Sequence, residues 1–358
     1  MISPGLFFAG FFFADFLTPP SLITPGFFFA AKASSSTAAA ETARNPKPDE
    51  TPGRLSQNGG VRELIGRVGE AVILFLCFLF GRRIERSSVP WLDGPTGPKR
   101  IGAGFHHALA AEAGLEVRTG DDLGLLADCA LLDGEQFDAR RLHPSVRDFY
   151  EHTSRYHLDV WSQWSPLFWP FGWALIHFVS RRMEQLNFPM YPLETARGMT
   201  SDVDQLVDKS DRVVFTSWLR RNLASGLVIY SGLYSTATPP GHGPCVKTVF
   251  PVPRGSATVL LRPEMQSDGS LKLISSGRRF GDPGFYRVTD AGRGRLRVWY
   301  VRPLKEVFHV YPDGDGSVRT EHFLSWWGLP VLHLHYHITP AQGAPDARRL
   351  LQGVVEPH

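Results

Sequence analysis

Three histidines alternate with apolar residues in the segment 331–338, which is predicted to be a β-strand. In a strand, neighbouring side chains point to opposite faces, so His333, His335 and His337 share one face. Two histidines at positions i and i+2 are about 7 Å apart and can bind one metal ion. The spacing predicts metal ligands at these three positions, or catalytic bases at His333 and His335. A site is expected if this face points into a barrel, whereas a face that points outward is expected to be a polar strand face without a site.

A second group of ionisable side chains lies on a helix that is predicted to begin at Pro144. Asp148 and His152 are four residues apart, so they share one side of that helix. A carboxylate in this position can orient a histidine that acts as a general base. Solvent-exposed helices often carry the same pattern, so a catalytic pair and an exposed helix surface both remain open.

Aromatic residues are concentrated between Trp161 and Trp173, and the pair Arg181-Arg182 follows. Tryptophan favours boundaries because its ring is apolar and its N–H is polar. We predict that this segment is the lid, or the membrane-facing edge, of a cavity for a hydrophobic molecule or lipid. The predicted ligand-binding residues are the aromatic side chains Trp161, Trp164, Trp169, Trp173, Trp299 and Tyr336.

Three classes of function therefore stay open. The first is the binding of a hydrophobic ligand or lipid, with a peripheral membrane contact as an extension of it. The second is a metal- or histidine-dependent enzyme that uses the His333, His335 and His337 face. The third is a protein-interaction module, because an exposed aromatic patch serves a protein partner equally well.

Cofactor motifs are incomplete in this chain. The segment Gly102–His107 begins like a dinucleotide-binding loop, but His107 occupies the place of the third glycine. The segment Asp313–Ser317 has its second glycine at the fourth position, where a calcium loop has none, and is predicted to be a hairpin turn. We expect no cofactor.

Composition narrows the class and the compartment. The 358 residues carry a net charge of only +3, and no cationic stripe with interleaved aromatic residues is present, so we expect no nucleic-acid partner. Hydrophobic residues make up 43%, which argues against a polytopic membrane protein. Cys77, Cys129 and Cys245 are far apart and odd in number, which fits a reducing interior. We expect a cytoplasmic protein, peripheral to the membrane if the lid contacts lipid.

The first 90 residues divide into two segments. Residues 1–60 combine phenylalanine clusters with prolines and are predicted to be disordered, a targeting segment or a translation artefact. A secretory signal is less favoured, because no basic region precedes the apolar stretch and Asp15 interrupts it. Residues 61–90 contain the apolar run Ala71–Phe80 with a basic flank at Arg82-Arg83. Ten helical residues cover about 15 Å, half of a bilayer core, so a buried or surface-lying helix is favoured over a span.

The remaining chain is predicted to be α+β, with a helical N-terminal half packed on a curled antiparallel β-sheet or barrel-like meander. Residues 91–205 form the helical region with its Trp-rich lid, 206–340 the sheet domain and 341–358 a tail. Turn residues separate the strands in the second half. The predicted strands are Val213–Arg220, Leu227–Ser235, Val246–Val252, Ala257–Arg262, Leu271–Ser276, Tyr286–Thr289, Arg295–Arg302, Glu306–Tyr311, Val318–Trp326 and Val331–Ile338.

Two segments carry a resemblance. The stretch 143–156, His-Pro-Ser-Val-Arg-Asp-Phe-Tyr-Glu-His-Thr-Ser-Arg-Tyr, together with Phe280–Phe285, resembles uncharacterised bacterial proteins. The resemblance covers about residues 90–338 and leaves out the phenylalanine-rich start. It implies a domain of unknown function and a bacterial source, and it supplies no catalytic residues.

Overall fold

A computed structural model describes residues 57–341, with side chains described from Leu64 onwards. The predicted N-terminal segment therefore lies outside the described residues except for its last four positions, and the predicted tail lies outside them after Ala341.

Antiparallel strands dominate the described residues and form one fourteen-stranded sheet. The strands are β1 (Arg82–Glu85), β2 (Glu116–Thr119), β3 (Tyr156–Trp164), β4 (Asp202–Val207), β5 (Val213–Arg221), β6 (Val228–Ala237), β7 (Cys245–Val252), β8 (Gly255–Met265), β9 (Leu271–Ser275), β10 (Phe285–Asp290), β11 (Arg295–Tyr300), β12 (Leu304–Pro312), β13 (Val318–Trp326) and β14 (Leu329–Pro340).

Strands β5 to β14 match the ten predicted strand segments, because turn residues mark their ends in the sequence. Gly314 has φ 77° in the turn between β12 and β13, a left-handed conformation that glycine adopts without strain. The predicted hairpin turn at Asp313–Ser317 is therefore confirmed.

The sheet branches at β8. Along the main path the strand order is β2-β4-β5-β6-β7-β8-β9-β12-β13-β14-β3. The first half of β8 pairs with β10, and β10-β11-β1 continue from it. The second half, from Arg262 to Met265, pairs with β9. We call β4 to β8 the covered branch, and β9, β12, β13, β14 and β3 the open branch.

The sheet curls without closing into a barrel. The guanidinium carbon of Arg220 on β5 lies 5.2 Å from the ring centre of Tyr336 on β14, although six strands separate them in the sheet (β6 to β9, β12 and β13). The curl was predicted. We call the face turned toward this contact the inner face and the opposite one the outer face; a large buried core fills the space between the inner faces.

The outer faces of the two branches differ. A second layer, made by residues 89–105, buries Leu233 and Val249 on the outer face of the covered branch. On the open branch, buried and accessible residues alternate, as they do for Leu334 and His335 of β14. No described segment buries the outer-face histidines of that strand.

Apart from short 3-10 turns, the helices of the described residues are short except for the first. They are α1 (Gln57–Phe80), α2 (Phe105–Ala113), α3 (Pro144–Glu151), α4 (Trp169–Ala174), a π-helical segment (Leu175–Ser180) and α5 (Arg181–Met183). Among the described helices, none has the length and hydrophobicity needed to cross a bilayer.

The structure does not show the predicted helical N-terminal half. Strands β2 and β3 lie within residues 91–205, and β4 begins there. Strand β3 was missed although Tyr156, Leu158 and Val160 alternate with exposed or half-buried positions. That period-2 pattern decides the structure there, because one face of β3 packs against the core.

Candidate functional site

Strand β3 brings the Trp-rich segment to the edge of the core. Trp164 ends the strand, and its indole N–H donates to the backbone carbonyl of Pro189 at 2.9 Å. Helix α4 then packs back on this ring through Gly172, where an added Cβ would lie 2.4 Å from Cζ3 of Trp164. Only a residue without a side chain allows that approach, so Gly172 and Trp164 fix the position of α4 together.

An apolar cavity of about 320 Å³ lies between α1, the helical segment 169–183 and the inner side of the sheet. Aromatic and aliphatic side chains form most of its wall. Among them are Ile73, Leu74, Trp164, Phe168, Phe171, Ile176, Phe188, Ala257, Phe285, Trp299, Leu304, Leu324, Trp326, Val331 and Leu332.

Helix α1 covers this cavity with one face. Its half-buried or buried residues include Gly66, Glu70, Ile73 and Cys77, which recur at helical spacing. An added Cβ at Gly66 would lie 2.5 Å from the backbone oxygen of Phe178, so the helix approaches the π-helical segment closely there. The apolar run at 71–80 is thus part of a longer helix that packs on the cavity with one face and exposes Phe75, Phe78 and Leu79 on the other.

Four charged side chains line the same cavity, and three of them are cations: Lys99, Arg182 and Arg287, against the single carboxylate of Glu70. Nη1 of Arg182 lies 3.9 Å from Oε2 of Glu70 and donates no hydrogen bond, although it is buried. The charged lining is therefore net positive, and Nη1 of Arg182 has no hydrogen-bond acceptor among the described residues.

Arg287 has a different environment. Its Nη2 donates to the carbonyl of Pro253 at 2.8 Å, and its Nη1 donates to two further backbone carbonyls. Burial lowers the pKa of Arg287 to about 10, which the carboxylate of Glu70 partly offsets. The backbone bonds hold this cation in place, so Arg182 is the better placed of the two to meet a ligand.

Of the six aromatic residues predicted to bind a ligand, Trp164 and Trp299 line the cavity. The other four do not. Trp161 is 43% exposed, because it lies on the opposite face of β3 from the even-numbered residues. On α4, Trp169 packs near Tyr191 with ring centres 6.1 Å apart, and Trp173 is stacked on His177 at 4.8 Å.

Tyr336 belongs to a separate buried group around Arg220. The guanidinium carbon of Arg220 lies 3.7 Å from the ring centre of Trp218 and 5.0 Å from that of Tyr230. Burial raises the pKa of the Tyr336 hydroxyl above its usual range. These contacts place Tyr336 in the core between the branches, not in the wall of the apolar cavity.

The three histidines of β14 share one face, as the alternation predicts, and that face is the outer one. His333 and His335 both contact the carboxylate of Glu321 on β13, and His335 Nδ1 is 2.8 Å from Oε2. His337 turns instead to Asp313, with 3.6 Å between Nε2 and Oδ2. The structure brings two of the three predicted ligands together and leaves the third apart.

Asp148 and His152 have different partners. Asp148 accepts a hydrogen bond from the Tyr156 hydroxyl at 2.6 Å, and the His152 ring contacts Asp122 at 2.5 Å. Helix α3 ends at Glu151, so His152 lies beyond it and the expected i to i+4 pair does not form. Asp148 lines an open groove of about 1160 Å³ at the other end of β3 and β14 from the cavity.

Sequence reasoning missed several residues of these sites. Phe168, Phe171 and Trp326 lie in aromatic-rich segments, but nothing in the sequence assigned them to the cavity rather than to the core. Glu321 had a clearer signal. It lies on the strand that precedes the histidine strand, and the observed register, which shifts at a β-bulge between Leu324 and Ser325, places it opposite His335.

Comparison with known proteins identifies no relative: no family model matches the chain, no curated protein matches it and no solved structure matches it. The resemblance to uncharacterised bacterial proteins stays a prediction. Function is therefore argued from the cavity and from the side chains around it.

Proposed function

We propose that this protein binds an apolar molecule with an acidic end group in the cavity beneath α1. The observation that carries the proposal is the combination of apolar walls with one buried N–H group of Arg182 that has no acceptor. Buried polar groups are normally hydrogen-bonded, and an unpaired one is costly. A carboxylate or phosphate on the ligand would remove that cost.

The size of the cavity limits the ligand. A volume of about 320 Å³ is near the lower end of the range for small-molecule sites. Burial of the apolar part of a ligand contributes roughly 25 cal/mol for each Å² removed from water. A medium-length fatty acid fits both the apolar walls and the excess of positive charge.

We further propose that the outer face of α1 contacts an acidic lipid surface. Leu64, Phe75 and Phe78 on that face are each about 60% exposed. The exposed residues Arg82 and Arg83 follow the helix, where they can meet lipid headgroups. Since the opposite face of α1 covers the cavity, a ligand taken from the membrane would enter beside this helix.

Calorimetric titration of the full-length protein with decanoate and with decanol tests the cavity. Ala257→Leu places three more carbon atoms in its wall and should weaken the binding of both compounds by at least about tenfold. Arg182→Met should weaken decanoate by about tenfold through loss of a charge-assisted hydrogen bond, and leave decanol nearly unchanged.

Trp173→Ala is the matched control, because Trp173 lies on α4 next to the lining residues Phe171 and Gly172 but outside the cavity. It should keep the wild-type affinity for decanoate. Folded A257L protein that binds decanoate as well as the wild type would refute the proposal. Sedimentation with anionic vesicles tests the lipid contact. A smaller fraction of Phe75→Ser than of the wild type should sediment, and equal fractions would contradict the contact.

A further inference from the structure

The outer face of the open branch carries a group of three side chains suited to metal binding. Glu321, His333 and His335 each offer one ligand atom, and these atoms all lie within 4.8 Å of one another. We propose that they bind a divalent transition-metal ion. The cavity plays no part in this site, so the two proposals can fail independently.

Strand register explains why the three residues meet. Glu321 on β13 is directly opposite His335 on β14, and His333 is the diagonal neighbour on the same face. Directly opposite side chains have Cβ atoms about 5 Å apart, and diagonal neighbours remain within reach of long side chains. The hairpin β13–β14 thus supplies all three ligands from one rigid element.

Neighbouring side chains hold two of the ligands in orientation. The ring of Phe323 is stacked on His333, with ring centres 3.8 Å apart. The Tyr311 hydroxyl donates to Oε1 of Glu321 at 3.4 Å, which leaves Oε2 directed at the histidines. Such outer contacts fix ring orientation and raise the affinity of a site.

The ligand types indicate which ion fits. Imidazole nitrogens with one carboxylate oxygen suit Zn²⁺ and neighbouring transition metals, whereas Ca²⁺ and Mg²⁺ prefer sites made of oxygen alone. Two histidines and one glutamate leave a fourth tetrahedral position for water. The ring nitrogens must be neutral to bind the ion, so binding is expected to weaken at acidic pH.

His337 does not belong to the site. It shares the strand face, but its ring lies beside Asp313 at the far end of the hairpin. His337→Ala is therefore a matched control: it removes a histidine of the same face without removing a ligand.

The described residues contain one other group of this kind, formed by His106, His107 and Asp204. His106 is 3% exposed and its Nε2 lies 3.1 Å from Oδ2 of Asp204, but neither of its ring nitrogens makes a hydrogen bond. His107→Ala tests this second group directly.

The experiment is calorimetric titration of full-length, metal-stripped protein with Zn²⁺, repeated with Co²⁺ and followed by its visible absorption. We expect one ion for each chain. Glu321→Gln and His335→Ala should each weaken Zn²⁺ binding by at least about tenfold, since outer contacts alone are worth that much. His337→Ala and His107→Ala should keep the wild-type affinity.

Circular dichroism of each variant shows whether it is folded. If His335→Ala is unfolded, Glu321→Gln, which keeps the side-chain shape, tests the site alone. Absence of Zn²⁺ binding by the wild type would overturn the proposal. So would binding that folded E321Q retains in full, or binding that H107A or H337A abolishes, because the ion would then be held elsewhere.

Discussion

The two branches of the sheet are both built from antiparallel strands, but they differ in whether another layer packs on their outer faces. On the covered branch, β7 is buried at nearly every position, because residues 89–105 pack over it. On the open branch, β14 alternates between buried and accessible positions. The first branch has two buried faces and contributes stability. The second has one free face, and the three histidines of β14 lie there.

This difference indicates where function can reside. A part of the sheet that is packed on both faces has no room for a ligand on its outer face, so its polar residues must find partners inside the protein. An accessible face can carry histidines and carboxylates at little cost in stability. The cavity lies where the strands end, beneath α1, and uses the inner faces of both branches.

The largest expected effect comes from truncating one apolar residue on each outer face. Leu233 is fully buried on the covered branch, and Leu233→Ala should lower the free energy of unfolding by about 2–5 kcal/mol. Phe323 is 46% exposed on the open branch, and Phe323→Ala should cost less than about 1 kcal/mol. Urea unfolding of both variants measures the difference.

Equal losses in the two variants would show that the outer face of the open branch is also packed, and the comparison would fail. Retention of the urea m-value in both variants is the control, since a changed m-value indicates a changed unfolded or folded state.

A buried lysine sharpens the comparison through its pH dependence. Lys247 lies on the outer face of β7 and donates to the backbone carbonyl of Asp93. Burial lowers the pKa of Lys247 from 10.5 to about 8. The unfolded chain therefore binds more protons than the folded protein between these values, and the contribution of Lys247 to stability rises with pH above about 8.

Lys247→Met removes this dependence. Relative to the wild type, the variant should gain about 1–2 kcal/mol at pH 7, and the gain should shrink as pH rises to about 9.5. Lys272→Met on the open branch should follow the wild-type pH dependence. A gain for K247M that does not change with pH would mean that the charge of Lys247 is not the cause.

The sequence predicted the part of the fold in which turns and strand patterns are local. The residue types at 313–316 predict a hairpin turn, and the segments on both sides of it are therefore predicted to be strands. Strand β3 is not among the predicted strands, because its aromatic residues predict a lid, although their alternation already separates Trp161 from Trp164. Local patterns of period 2 carry that information without any knowledge of the partner strand.

The sites were predictable only where one element contains them. His333 and His335 share a strand, so their common face could be read from spacing alone. The cavity unites Ile73, Trp164 and Trp299, which are far apart in the chain, and no local pattern predicts which strands curl toward which helix. Glu321 is intermediate in how well it can be predicted, because it lies on the strand next to the histidine strand and the register of one hairpin decides its position.

The smallest expected effect separates the two faces of β3. Trp161 lies on the outer face and Trp164 lines the cavity. Trp161→Ala should change decanoate affinity by less than about twofold and the free energy of unfolding by less than about 1 kcal/mol. Trp164→Phe, which loses the N–H donated to Pro189, should weaken decanoate by about fivefold. Calorimetric titration compares the two, and a larger loss of affinity in W161A would place the binding surface on the outer face of the open branch.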